Sequence, residues 1–141
     1  MKPRLKRKLR AVVIALLAVP CLILVWGVAI GYRVDLIPEC DALTQTRILA
    51  RRPSLHEMVI VDRAFLSELE AELRNHRDTW RSNLDARYYL LEVVDANGVR
   101  RQFDFSSIDF AHFGRTPQIL ADLIWEAERS GYSGWTALPE A

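Results

Sequence analysis

From Ala11 to Tyr32 the chain reads AVVIALLAVPCLILVWGVAIGY, a stretch without Asp, Glu, Lys, Arg or His. At about 1.5 Å rise per residue such a run makes a helix of about 33 Å, enough to cross a hydrocarbon core of about 30 Å. After it, apolar residues recur in short patches with periods of two or of three to four. Those are the signatures of strands and helices in a folded domain.

Arg33 to Asp41 reads as a short polar connector containing Pro38. Thr44, Thr46 and Ile48 alternate with Gln45 and Arg47, which predicts a strand over 43–52, although the tail from Ile48 to Arg52 suits a helix equally. Arg52-Pro53-Ser54 is a turn, and Met58 to Val61 is a second, β-branched strand. Asp62 stands where its carboxylate can cap a helix. The helix predicted from Arg63 to about Arg77 places Phe65, Leu66, Leu69 and Leu73 on one face and pairs Glu70 with Arg74 on its outer side. Asp78 to Arg87 reads as a loop holding Trp80.

The run RYYLLEVV-DANG-VRRQFDF predicts a hairpin with a three-residue loop, Ala96-Asn97-Gly98. That register sets Leu91 opposite Phe103, Tyr89 opposite Phe105 and Val93 beside Arg101, so one face is apolar. A slip by one residue would set Leu91 against Asp104, exchanging the buried and exposed sets, so burial selects the first register. Gly98 then takes a left-handed bulge position. Ser106 to Arg115 is a loop offering Ile108, Phe110 and Phe113 for packing. Thr116-Pro117 opens a second helix, with Ile119, Leu120, Leu123, Ile124 and Ala127 on its apolar face and Gly131 as its stop. The tail YSGWTALPEA reads as loop.

The expected fold is therefore α+β: one N-terminal transmembrane helix, then a small, mostly antiparallel sheet in the order β-β-α-β-β-α with helices on one face. The expected divisions are a basic arm (1–10), the span (11–32), a connector (33–42) and one domain (43–141).

Charge adds an orientation. The first ten residues carry six Lys or Arg and no acid, while the remainder carries thirteen Arg against eighteen Asp or Glu. Cations before an apolar run hold that end in the cytoplasm and place the domain across the plasma (inner) membrane, in the periplasm. Nucleic-acid binding is not expected, because the basic run is short, abuts the span and has no interleaved aromatics. A cleaved signal peptide is the alternative, with a small-x-small site at Ala29 and Gly31; the run is longer than the usual signal core. Cys21 lies within the run and Cys40 outside it, at depths that forbid a bridge within one chain. Cys40 is expected to be a free thiol, with a bridge between chains as the alternative.

Chemistry is thinly signalled. His56-Glu57 lacks any partner spacing for a metal, and His76 reads as a cap at a helix C-terminus. Ser106, Ser107, Asp109 and His112 form the one Ser/His/carboxylate cluster, the basis of an alternative reading as a small envelope hydrolase; no GxSxG elbow accompanies it. Glycines form no phosphate loop, and no cofactor or metal is expected. The hairpin face carrying Tyr88, Leu90, Glu92, Arg100, Gln102 and Asp104 is mixed polar and aromatic, a candidate surface for a partner. Gly27 and Gly31 form a GxxxG that would join two spans. Together these features predict a non-catalytic, membrane-anchored domain that binds or modulates another envelope protein or a ligand.

Overall fold

The computed structural model describes residues 3–27, 31–78 and 88–139. In chain order its elements are α1 (Pro3–Val25), β1 (Tyr32–Val34), β2 (Leu43–Ala50), β3 (His56–Ile60), α2 (Arg63–Arg74), β4 (His76–Asp78), β5 (Tyr89–Asp95), β6 (Arg100–Phe105), β7 (Asp109–Phe110), β8 (Gly114–Arg115), α3 (Gln118–Ser130) and β9 (Thr136–Ala137). The architecture is α+β, with a helix at the N-terminus and an antiparallel sheet. Five short strands interleave with the longer elements, so the chain order is richer than β-β-α-β-β-α.

Helix α1 is long and apolar enough to cross a membrane, and none of its residues is buried against the domain. It starts earlier and stops earlier than the apolar run suggested. The basic arm is its first turns, and regular helix ends at Val25. At the end, the Gly31 N–H donates to the Trp26 carbonyl at 2.9 Å with Gly31 at φ 69°. That left-handed residue turns the chain out of the helix axis, and Tyr32 enters β1. Gly31 thus sits beyond the helix, not on the same helical stripe as Gly27. Ala29 lies outside the described residues.

The main sheet runs β8-β7-β6-β5-β2-β3-β9, every pair antiparallel, and a two-stranded ribbon joins β1 to β4. Burial sets the hairpin register argued from the sequence: Tyr89 faces Phe105, Leu91 faces Phe103 and Val93 faces Arg101. β2 lies beside β5 with Ile48 opposite Leu91 and Ala50 opposite Tyr89. Leu66, Leu69 and Leu73 of α2 and Leu120, Ile124 and Ala127 of α3 close over that face, making one core. Phe110 on β7 fills its end, 5.2 Å from the Phe103 ring centre and 6.1 Å from that of Phe105.

Segment 33–42 is part of the core and not a tether: Leu36, Ile37 and Cys40 are buried there. Arg74 is the reason this polar-looking segment folds in. Its guanidinium takes Glu70 at 2.9 Å and donates to the carbonyls of Ile37 at 3.2 Å and Cys40 at 2.7 Å. The Glu70–Arg74 pair therefore faces the segment and does not lie on an outer surface. Glu70 also accepts the Leu43 amide at 3.1 Å. Burial pushes the Cys40 thiol up from its ordinary value, with the neighbouring Glu39 charge adding to the effect. A buried neutral thiol is poorly placed for a bridge between chains.

Other differences have local causes. Asp62 caps α2 by accepting the Phe65 amide at 2.9 Å. However, α2 ends at Arg74, because Asn75 leaves helical geometry and caps the Ala71 carbonyl. His76 is then in β4, buried, its Nε2–H donating to the Phe113 carbonyl, and is not a helix cap. Helix α3 begins at Gln118. The Thr116 hydroxyl goes to the Ser106 carbonyl at 2.8 Å, and Glu72 of α2 supplies the cap by accepting the Ile119 amide at 3.2 Å. The tail is not all loop: β9 pairs with β3, and Trp135 packs edge-on against Tyr132. Apart from Asp78, the loop expected over 78–87 with Trp80 lies outside the described residues.

Asp95 organises the hairpin turn. Its carboxylate accepts the amides of Asp41 at 2.8 Å, Asn97 at 2.9 Å and Val99 at 2.8 Å. These bonds, led by that from Asp41, hold its carboxyl below the ordinary value of 3.8. A depressed folded value means the stabilisation is present above 3.8 and fades as the pH falls through the folded value. Thermal melts of wild type and Asp95→Asn should therefore differ at neutral pH and converge in acid. Parallel curves across that range would remove Asp95 as the cause.

Candidate binding cleft

A set of polar and aromatic side chains meets at one end of the sheet, where the β2–β3 turn, the start of β5 and the end of α3 surround a cleft of about 670 Å³. That volume falls in the range of small-molecule and peptide pockets. Arg52, Ser54, His56, Tyr88, Tyr89, Glu128 and Tyr132 line it.

Tyr132 is the centre. Gly131 ends α3 in the left-handed conformation, and Tyr132 follows at φ 62°, uncommon for so bulky a residue. Several contacts hold it there. Its hydroxyl lies 2.6 Å from that of Tyr89 and donates to the Arg52 carbonyl at 3.2 Å. Its ring stacks on the His56 imidazole with centres 4.8 Å apart and planes 15° apart. The His56 Nδ1–H is turned inward to the Ser54 carbonyl at 3.2 Å.

Tyr89 reaches the cleft from inside. Its ring is core and only its hydroxyl arrives, donating to Glu128 at 2.7 Å. Burial first, then the bonds to Tyr132 and Glu128, push this phenol far above its ordinary value, so it stays protonated. At the mouth, the Arg52 guanidinium lies 5.4 Å from the centre of the Tyr88 ring. Among the described residues the cleft therefore offers stacked aromatic walls, a carboxylate, a guanidinium and phenol hydroxyls. Such a set suits holding a mixed polar and aromatic group.

The candidate residues from the sequence divide clearly. Leu90 and Glu92 on β5 and Arg100, Gln102 and Asp104 on β6 share the sheet face turned away from the helices. There they pair largely with one another and with neighbouring strands. Glu92 takes Gln102 at 2.9 Å and Arg100 at 3.7 Å, and Asp104 takes Arg51 at 3.1 Å. Arg47 and Glu57 pair on the same face. Tyr88, just before β5, belongs to the cleft. The Ser106 hydroxyl accepts the amides of Asp109 at 3.0 Å and Ile108 at 3.3 Å, so it caps its own loop. His112 is exposed at φ 66° with no hydrogen bond to Ser106, Ser107 or Asp109. Among the described residues no group of three or more His, Cys, Asp or Glu is placed to hold a metal ion.

Sequence reasoning weighed His56 and Tyr88 without joining them, read Tyr89 only as a core residue opposite Phe105, and passed over Glu128 and Tyr132. They are spread across the chain from 56 to 132, and no local spacing signals their meeting. The one local hint was the bulky residue directly after the glycine that ends α3. No protein-family model, curated protein or solved structure matches the chain.

Proposed function

We propose that this chain is a single-pass membrane protein with a cytoplasmic N-terminus and an extracytoplasmic α+β domain. The domain is a non-catalytic binding module, and its cleft receives a segment or ligand belonging to the envelope. The observation that carries the reading is an apolar helix with no buried residue that passes within a few residues into a folded domain. Exposed aliphatic residues along its length call for a lipid environment, and the cationic first turns favour the cytoplasmic side. A binding role is favoured over catalysis because Tyr89, Tyr132 and Glu128 are bonded to one another and Ser106 is committed to backbone amides.

Placing a photoreactive phenylalanine analogue at Tyr88 in intact membranes tests the role. A discrete crosslinked product is expected from position 88 and not from position 61, where Val61 is exposed just past the end of β3 opposite His56 and does not line the cleft. Equal products at both positions, or none at 88, would refute the binding role.

A further inference from the structure

We infer that Arg33, Arg77 and Arg115 form a cationic seat that binds the phosphates of anionic lipid headgroups and fixes the domain against the membrane its helix crosses. The inference rests on the membrane-spanning reading above.

Three strands distant in sequence bring these residues together. Arg33 on β1 stands directly opposite Arg77 on β4, and Arg77 and Arg115 line one groove where β4 meets β8. Strand β4 alternates in burial. Val34, His76 and Asp78 turn toward the domain, while Arg33 and Arg77 turn out and are exposed. Like charges directly opposite each other on neighbouring strands are unfavourable unless something neutralises them. Among the described residues no ion pair of the domain includes any of the three; Asp109 stands opposite Arg115 across β7 and β8, and Arg33 and Arg77 face only each other. Two acids share the groove, Glu68 and Glu72, and neither pairs with an arginine; Glu72 is engaged by the Ile119 amide.

Position supplies the partner. Gly31 is hydrogen-bonded to Trp26 at the helix end, and Arg33 follows two residues later, at most about 7 Å of extended chain. The headgroup layer is about 5–8 Å deep on each side of the hydrocarbon. Arg33 therefore emerges within that layer, beside Trp26 and Tyr32, whose exposed rings suit the interface. Guanidinium groups bind phosphate oxygens through paired N–H donors.

The test uses the full chain in nanodiscs of phosphatidylcholine, with or without phosphatidylglycerol. A dye at Asp122→Cys, exposed on α3 and outside the lining of the groove, reports energy transfer to dye-labelled headgroups. Anionic lipid should raise the transfer, and added salt should reverse it. Each arginine is expected to contribute about five-fold to the ratio of seated to unseated domain. Arg33→Gln/Arg77→Gln/Arg115→Gln should lower that ratio by on the order of a hundred-fold, while the corresponding triple Lys variant retains most of it. The Gln variant's thermal melt controls for folding. Equal transfer in neutral and anionic discs, or an unchanged Gln variant, would overturn the seat. So would suppression by free inorganic phosphate with no lipid dependence. Failure of the chain to enter discs at all would instead refute the membrane-spanning reading.

Discussion

Phe110→Ala is expected to destabilise the domain by about 3–5 kcal/mol, the usual cost of emptying a fully buried aromatic site. Phe110 is completely buried on a strand of two residues, ringed by Phe103, Phe105, Phe113 and His76. Its neighbours are anchored on β6 and β4, so the cavity has little freedom to collapse. A domain of this size stands only about 5–15 kcal/mol above its unfolded state. The melting midpoint should therefore fall by about 4–8 °C for each kcal/mol lost. Ile108→Ala, two residues away on an exposed side chain, should leave the midpoint almost unchanged. Similar losses for the two variants would show that the 106–115 segment does not close the core.

Much of the fold was legible because burial leaves a period in the sequence. The hairpin is the clearest case. Only one register buries Tyr89, Leu91, Phe103 and Phe105 together, and that register is observed. The α2 face was equally plain, since Leu66, Leu69 and Leu73 recur at helical spacing. What escaped depended on contacts between distant residues. Segment 33–42 looked like a polar tether because its folding depends on Arg74, more than thirty residues further on. His76 looked like a helical cap because Asn75, a weak local signal, ends α2 one residue before it. Thr116 was a reasonable helix cap until Ser106 offered its carbonyl and Glu72 filled the vacancy. Strands of two or three residues such as β7, β8 and β9 carry no period to read. The cleft was invisible for the same reason as segment 33–42: Tyr132, Tyr89, His56 and Glu128 meet only through the tertiary fold.

Sidedness has the other large expected effect, because it is all or none. Ser133 is exposed in the turn after α3 and takes no part in the core. The two native cysteines are poor targets, since Cys40 is buried and Cys21 lies inside the apolar helix. A Ser133→Cys variant thus places one reactive thiol on the domain, and the unsubstituted chain supplies the background. In a chain that spans the bilayer, the cost of moving a folded, charged domain through the hydrocarbon would keep it on one side.

The most direct measurement treats intact spheroplasts carrying Ser133→Cys with a membrane-impermeant maleimide, then fractionates them. A helix that crosses the bilayer with its cations inside predicts labelling before lysis, on full-length chain recovered with the membranes. Labelling that appears only after the cells are opened, or a full-length chain that stays in the soluble fraction, would contradict it.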